Sequence, residues 1–426
     1  MENIKIQNFL VIKKADINIK KLNIIIGPQA NGKSIVAKLL YFFKNTSMIF
    51  INSIQSQSDK RTLDRELLSD FEKKFPRYAW EGTNFTITYQ INDLKILING
   101  TKNARGKTNI SISYSEELTK LFSTKKKLYL KKIEELTSSE KFSATRQINN
   151  LERHVFYEHI VDPLRHGEYS EFFSNSIFIP ASRSFFANLQ KNIFTFLASN
   201  IDIDPFLKEF GSVYQNCKRW YKDAYLMKEH RTLLTDLYKA LDSIVGGDYE
   251  FHEDQDWIVN KSRKINLVNA SSGQQESLPM LLVLCVWPML RLNPKENMLF
   301  IEEPEAHLFP TSQSHVVSIL SLLYSSLKTN FFITSHSPYI LSAINNFILA
   351  HDAIDNNRIT IEQFQEINGL GMPISFDDIS AYTINNGISS DIADSEYRMI
   401  GADMLDGISE HFEKVMNHIL SCSDEK

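Results

Sequence analysis

Residues 27–34 read Gly27-Pro28-Gln29-Ala30-Asn31-Gly32-Lys33-Ser34 and match the pattern G-x-x-x-x-G-K-[ST]. The apolar, β-branched run Leu22–Ile26 before them predicts a buried strand, and Ile35–Phe43 after them predicts a helix. In this context the glycines let successive backbone N–H groups point at phosphate oxygens, beside the positive end of the helix dipole. The sequence therefore predicts an α/β fold built around a nucleotide-binding loop. Lys33 is expected to reach the β/γ-phosphates and Ser34 to ligate Mg²⁺.

The composition is that of an ordinary soluble globular protein. The chain has 426 residues, 43% hydrophobic and 23% charged, with a net charge of −4, so no global basic charge requires a nucleic-acid partner. Its three cysteines are far apart and form no C-x-x-C pair, which argues against a disulfide framework. The longest apolar run, Leu278–Leu290, contains two prolines and is too short to cross a bilayer. We expect a cytoplasmic protein with no membrane contact.

Strand and helix signals divide the chain into three predicted regions. Residues 1–115 form an N-terminal lobe, in which strands at Ile4–Ile6 and Ala15–Ile19 precede a β-rich insert with a hairpin around Asn92-Asp93. Residues 116–170 are rich in Lys, Glu and Leu and predict a helical or short coiled-coil arm. Residues 171–426 form a C-terminal lobe with a helical segment and a C-terminal cap. The basic segment Lys125–Lys132 of the arm is either a solvated helix face or a surface that contacts DNA or a partner.

A second apolar strand, Leu299–Ile301, ends in two carboxylates, Glu302 and Glu303. At a strand end beside the phosphate loop, Glu302 is predicted to hold Mg²⁺ through water. Glu303 is predicted to polarise the water that attacks the γ-phosphate. Side chains alternate along a strand, so neighbouring carboxylates need not share a role.

Another apolar strand, Phe331–Ser335, ends at His336. His336 follows Glu303 by 33 residues, which leaves room for one crossover helix and a return to the neighbouring parallel strand. That geometry predicts that His336 lies at the γ-phosphate and senses its presence.

The segment Ser271-Ser272-Gly273-Gln274 opens the helix that carries the apolar run. A serine and a glycine at a helix start form an anion site, although alone they would pass for an ordinary N-cap. Their place 28 residues before Glu302 favours the anion site.

The order of these motifs resembles that of ABC-type ATPases of the SMC and RecF-like branch. The resemblance implies a P-loop ABC-type ATPase head, a mixed sheet with flanking helices. Into it would be inserted a β-hairpin region and a helical or short coiled-coil arm. Ala270–Gln274 looks like the L-S-G-G-Q signature, which in that family contacts the γ-phosphate bound by the opposite subunit. The resemblance thus implies ATP and Mg²⁺ as cofactors and a homodimer or a higher even-numbered oligomer.

The string Glu302-Glu303-Pro304-Glu305-Ala306-His307-Leu308 resembles the E-E-P-E-x-H-L of stand-alone ATPases in the overcoming-lysogenisation-defect (OLD) group. That group includes the ATPase subunits of anti-phage systems such as Septu and PARIS. The resemblance implies a switch subunit that controls a nuclease or toxin encoded nearby, with DNA or a phage protein as trigger. His307 could suggest a metal ligand, but no His or Cys lies near it at ligand spacing, which favours a position at the subunit contact after Glu303.

The sequence departs from the family pattern at several positions. Leu10 stands where many relatives carry a basic residue, and Glu302 replaces the more usual Asp. The Q-loop region, Ile177–Arg183, has no glutamine in its Pro180–Ser184 loop, so Ser182, Arg183 or Gln190 is the candidate substitute. Ala270 and Ser272 replace the Leu and Gly of the signature.

The tail after His336 carries scattered acidic residues and no strand-borne E…D-x-D, which predicts a helical cap rather than a nuclease centre. The residues in question are Asp377, Asp378, Asp391, Asp394, Asp403 and Asp406.

Two functions of different classes remain open on these grounds. The first is the defence switch. The alternative is a DNA-repair or chromosome-maintenance ATPase that clamps DNA, which the basic arm favours slightly. A transporter motor is a weaker third option, because the Glu302–Leu308 string and the large insert argue against it.

Overall fold

Strands make up the centre of the protein. The computed structural model describes residues 1–137, 145–189, 203–261, 263–290, 297–401, 414 and 416. Sixteen strands occur in these ranges: β1 (Glu2–Phe9), β2 (Ile12–Ile19), β3 (Leu22–Ile26), β4 (Phe85–Ile91), β5 (Leu94–Lys102), β6 (Thr108–Tyr114), β7 (Ser176–Ile179), β8 (Asp248–His252), β9 (Gln255–Asn260), β10 (Arg263–Asn266), β11 (Met298–Glu302), β12 (Asn330–Ser335), β13 (Ile379–Asn385), β14 (Ile388–Asp391), β15 (Ala393–Asp394) and β16 (Met399–Ile400).

Eleven of these strands form one mixed sheet in the order β6-β5-β4-β1-β2-β14-β13-β3-β12-β11-β7. The strands from β6 to β2 pair antiparallel, and they include the predicted hairpin at Asn92-Asp93. The strands β13, β3, β12, β11 and β7 are parallel. Because parallel strands end at the same edge of a sheet, the residues that follow β3, β11 and β12 meet there.

Helices cover both faces of this sheet. They are α1 (Lys33–Gln55), α2 (Lys60–Lys74), α3 (Glu116–Thr137), α4 (Thr145–Phe156), α5 (Asp162–His166), α6 (Phe185–Leu189), α7 (Pro205–Trp220), α8 (Ala224–Glu229), α9 (Arg231–Val245), α10 (Ser272–Val286), α11 (Pro310–Leu327), α12 (Pro338–Asp355) and α13 (Ile361–Asn368).

The core lies in two layers, one on each face of the sheet. Strand β3 shows the division, because Ile24 and Ile26 pack in one layer and Ile25 in the other. A strand buried on both faces reads as a continuous apolar run, which is why Leu22–Ile26 does not alternate. Helix α1 is the one described helix long and apolar enough to cross a membrane, but it packs against β7, β11 and β12.

The predicted arm begins as part of the core. Helix α3 packs on α1, where the Phe50 and Phe122 rings lie 5.8 Å apart. Farther along, the Tyr129 ring of α3 meets the Phe156 ring of α4 at 5.0 Å, so these helices pair. Residues 138–144 between them lie outside the described residues, and the domain boundaries at 115 and 170 stay a prediction.

The three-stranded sheet β8-β9-β10 leads from α9 to α10. Helix α9 ends at Gly246, whose φ of 73° is the left-handed conformation that favours glycine. Just before that end, burial raises the pKa of Asp242 to about 6, with a smaller contribution from the charge of Asp248. Ionisation of this carboxyl therefore costs more in the folded than in the unfolded chain.

We expect the contribution of Asp242 to the free energy of unfolding to fall as the pH rises from about 4 through 6. The reason is that the native state holds the proton of this carboxyl more tightly than the unfolded chain does. The Asp242→Asn variant lacks this ionisation. The free energy of unfolding of the variant, relative to that of the parent, should therefore be about 1–2 kcal/mol higher at pH 8 than at pH 4. Urea unfolding at both pH values measures the gain. Asp236→Asn on the same helix is the control, and an equal gain there would contradict the assignment.

Candidate functional site

The backbone of the loop between β3 and α1 depends on its two glycines. Gly27 and Gly32 have φ angles of 149° and 99°. A Cβ on Gly32 would lie 2.3 Å from Ile12 Cδ1, and one on Gly27 would lie 3.1 Å from Ile384 O. The β1–β2 turn and strand β13 therefore hold the loop from two sides.

Side chains of the loop complete its folding. Asn31 Oδ1 accepts a hydrogen bond from Asn386 N at 3.0 Å, and Asn31 Nδ2 donates to Gln29 O at 3.1 Å. Ala30 also has a positive φ, 60°. The β13–β14 turn at Asn386 lies too far along the chain for the motif itself to predict this contact.

Lys33 is buried at the first position of α1. Its Nζ donates to Gly27 O and Pro28 O, each at 2.7 Å, and lies 3.2 Å from His336 Nδ1. Burial lowers the pKa of Lys33, while the charges of Glu303 and Glu305 oppose this effect. The ammonium is thus held at the loop by neutral carbonyls, which a phosphate would replace favourably.

Glu302 ends β11 with its side chain buried beside the phosphate-loop helix. Its Oε2 accepts a hydrogen bond from Ala181 N at 3.2 Å, and its Oε1 has no hydrogen-bond partner among the described residues. Burial raises the pKa of Glu302, against the opposing effects of the Lys38 charge and the nearby Ser34. A buried carboxylate oxygen beside a serine hydroxyl is an oxygen donor set that fits Mg²⁺.

Glu303 and His336 face each other across neighbouring strand ends. The Oε1 atom of Glu303 lies 3.0 Å from His336 Nε2, and its backbone N–H donates to Thr334 O at 2.9 Å. Strands β11 and β12 are parallel neighbours joined by the crossover helix α11, as predicted from the 33-residue spacing. Glu303 has a φ of 45°, so the turn after the strand, and not strand alternation, points it away from Glu302.

The tautomer of His336 follows from its two neighbours. The Lys33 ammonium carries only donors, so Nδ1 of His336 accepts and is not protonated. The ring proton is therefore on Nε2 and is donated to Glu303 Oε1. Lys33, His336 and Glu303 form one hydrogen-bonded chain, and the structure brings all three predicted catalytic residues together.

The segment Ser271–Gln274 is built as a helix N-terminus. Ser271 is the N-cap of α10 and forms a capping box with Gln274, whose Nε2 also donates to Val245 O at 2.7 Å. A Cβ on Gly273 would lie 2.8 Å from His307 O, so the segment packs on the turn after Glu303. Among the described residues, no hydrogen bond joins this segment to the phosphate loop of the same chain. Ser272 is exposed.

Arg183 is fully buried and does not act as a free substitute for the missing glutamine. Its Nε donates to Glu276 O at 2.9 Å, its Nη1 to Glu302 O at 2.7 Å and its Nη2 to Glu303 O at 2.9 Å. The Glu276 carboxylate in turn accepts from the backbone N–H groups of Arg183 and Ser184, each at 2.8 Å. The ion pair of Arg183 and Glu276 thus joins the start of α10 to the backbone at Glu302 and Glu303. Gln190 lies outside the described residues.

We expect Arg183→Ala to lower the free energy of unfolding by about 3–5 kcal/mol, because it leaves a buried carboxylate without its cation. Chemical denaturation of the purified chain measures the change. Arg398→Ala is the matched control, since Arg398 forms an ion pair with Asp352 at a half-exposed position and should cost about 1 kcal/mol or less. Equal losses in the two variants would contradict a special role for the buried pair.

Sequence reasoning assigned no role to Glu276 and Glu305. The partners of both glutamates come from distant parts of the chain, so no local spacing of residues pointed to a role. The one local signal was that Glu305 is the third glutamate in the segment Glu302–Glu305. Of the acidic residues in the tail, Asp378 contacts Lys21 and Tyr324, and Asp391 and Asp394 accept from nearby backbone N–H groups. Asp377 lies 3.5 Å from Arg398, and Asp403 and Asp406 lie outside the described residues.

A family match shows which family of proteins the chain belongs to. A sequence model of a family described as "AAA ATPase domain" matches residues 1–341. The matched range includes the phosphate loop, Ser271–Gln274, the Glu302–Glu303 pair and His336. The chain belongs to this family. As an AAA ATPase-domain protein it uses ATP, and such domains generally use Mg²⁺ with it.

Solved structures with a similar chain trace include "SmcHead bound to the C-winged helix domain of ScpA", at 10% identity, covering 93% of this chain and 99% of that one, with a TM-score of 0.40. The SMC head domain from Thermotoga maritima gives 11% identity, coverages of 92% and 97% and a TM-score of 0.36. The recombination mediator protein RecF has 12% identity, with 92% of this chain and 97% of that chain covered and a TM-score of 0.30. No curated protein matches the chain. The likeness is distant, and membership of the AAA ATPase-domain family rests on the sequence match.

Proposed function

We propose that this AAA ATPase-domain protein is an ATP-driven switch of the SMC and RecF-like kind, in which two copies complete each other's sites. One observation carries the proposal. The phosphate loop, Glu303 and His336 meet in one chain, whereas within the described ranges Ser271–Gln274 forms no hydrogen bond to them and presents an exposed Ser272. A second copy would supply this helix N-terminus to the γ-phosphate.

The residues suit in-line hydrolysis of the γ-phosphate. Lys33 would exchange the carbonyls of Gly27 and Pro28 for phosphate oxygens. Glu303 would accept a proton from the attacking water, and His336, a donor at Nε2, would hold that carboxylate in place. Ser34 and Glu302 would hold Mg²⁺, which supplies neutralisation of the phosphate charge when bound. Binding of ATP would favour the joined arrangement and loss of products the separated one.

Mixing two inactive variants tests the composite site. Lys33→Ala spoils the phosphate loop but leaves the signature, and Ser272→Arg blocks the exposed signature but leaves the loop. A mixed dimer keeps one intact site, so a random mixture should recover about a quarter of the parental ATPase rate. If each variant is inactive and the mixture stays inactive while mixed dimers form, the composite site is wrong.

We further propose that the switch controls a partner nuclease or toxin in anti-phage defence. The support is the resemblance of Glu302–Leu308 to the OLD-group string. The test is protection of bacteria that carry the gene with its genomic neighbours, with and without Lys33→Ala. Absence of any protection that depends on Lys33 would count against this role.

The alternative, a clamp on duplex DNA, has the basic segment Lys125–Lys132 in its favour. Part of that charge is engaged: Lys126 donates to Ser58 O at 2.8 Å, and Lys132 forms an ion pair with Glu135 at 2.9 Å. Salt-sensitive, ATP-dependent binding of duplex DNA by the isolated chain would support the clamp.

A further inference from the structure

A carboxylate from the turn that follows Glu303 binds the chain at the end of β12. Glu305 Oε1 accepts a hydrogen bond from the backbone N–H of His336 at 2.6 Å and another from Ser335 Oγ at 2.8 Å. Ser335 Oγ in turn accepts from Ser337 N at 3.0 Å. One oxygen of Glu305 therefore holds the backbone N–H of His336 directly and that of Ser337 through Ser335 Oγ.

The second oxygen of Glu305 strengthens this assignment. Oε2 is buried and has no hydrogen-bond partner among the described residues. A buried carboxylate oxygen without a hydrogen bond destabilises the folded state, so the hydrogen bonds of Oε1 have to offset this free-energy cost. Those bonds serve His336 and its neighbour alone.

The geometry of His336 explains why its backbone has to be held in place by Glu305. The imidazole has to place Nε2 at 3.0 Å from Glu303 Oε1 and Nδ1 at 3.2 Å from Lys33 Nζ at the same time. Only two side-chain torsions separate the ring from its backbone. A shift of the His336 N–H by an ångström would therefore break one or both contacts.

We propose that Glu305 is a positioning residue for ATP hydrolysis, which acts by holding the backbone of His336 so that its ring bridges Lys33 and Glu303. This inference rests on the proposed function, in which Glu303 and His336 serve hydrolysis. It assigns a task to the third carboxylate of the Glu302–Glu305 string.

A competing explanation is electrostatic, since the charge of Glu305 also acts on Lys33. Two conservative variants separate the explanations. Glu305→Gln keeps an acceptor oxygen at the same reach and removes the charge. Glu305→Asp keeps the charge and withdraws the acceptor by about 1.5 Å, the length of one C–C bond.

If Glu305 positions His336, Glu305→Asp should lower kcat for ATP hydrolysis about tenfold to hundredfold, with KM for ATP within about threefold of the parent. Glu305→Gln should retain most of the parental kcat. The reverse order would overturn the inference in favour of the charge. Thermal unfolding of each variant shows whether it is folded, and a nucleotide-binding assay shows whether its phosphate loop still binds ATP.

The double variant Glu305→Asp/His336→Ala decides whether the effect passes through the histidine. We expect it to hydrolyse ATP at the rate of His336→Ala alone, because the anchor has nothing left to position. A further loss equal to that of Glu305→Asp by itself would overturn the inference. If His336→Ala were as active as the parent, the role of His336 in the proposed function would fail instead, so the two failures are distinguishable.

Discussion

Replacement of Lys33 by alanine is expected to lower kcat/KM for ATP hydrolysis by about 10²- to 10³-fold, the effect of removing one charged donor from a preorganised site. The ammonium is buried and aimed at the loop, with Gly27 O and Pro28 O both 2.7 Å from Nζ. The variant also leaves His336 Nδ1 without its donor. Steady-state hydrolysis and equilibrium binding of a fluorescent ATP analogue measure the two parts of the loss.

Lys21→Ala is the matched control for this variant. Lys21 precedes the other end of β3 and forms an exposed ion pair with Asp378 at 2.8 Å. Its loss should leave hydrolysis within about twofold of the parent, because an exposed pair contributes little. If the two lysine variants were equally active, the loop would not be the ATP site.

Glu303→Gln is expected to have an effect of similar size on hydrolysis and none on binding. The amide cannot accept a proton from water, so kcat should fall by about 10²- to 10⁴-fold while the affinity for ATP is kept. The side chain keeps its shape beside His336, whose Nε2 lies 3.0 Å away. With ATP unhydrolysed, the joined form of two copies should accumulate, and light scattering with and without ATP measures it.

The same variant, purified with an affinity tag from cells that carry the native gene neighbourhood, should hold the assembled complex for mass spectrometry. A stoichiometric nuclease or toxin would support the defence switch. Duplex DNA or repair proteins without such an effector would favour the clamp. Glu362→Gln, on the exposed start of α13, is the control for the substitution itself and should hydrolyse ATP at the parental rate.

Much of the site was predictable because its motifs are local. The phosphate loop needs its glycines, its lysine and its serine within eight residues, and the backbone angles of Gly27 and Gly32 show why. The parallel pairing of β11 with β12 was predictable as well, because a 33-residue spacing leaves room for one crossover and little else. The hairpin at Asn92-Asp93 followed from its turn residues.

The contacts that hold the site in shape were not predictable, because they join residues far apart in the chain. Arg183 and Glu276 meet in the buried interior, and Glu305 reaches the His336 backbone 31 residues away. A missing glutamine in the Pro180–Ser184 loop indicated a substitute ligand. The structure instead places Arg183 in a network that binds the carbonyls of Glu302 and Glu303.

The sequence by itself determined the nucleotide loop, the strand-end carboxylates and the histidine, because each depends on the chemistry and spacing of a few neighbouring residues. The tertiary structure decided which tautomer His336 adopts, which carboxylates face Ser34 or His336, and that β13 lies beside β3 against the loop. These features depend on how distant strands and helices pack, and burial makes unpaired polar groups costly, so only the folded chain shows which partners they find.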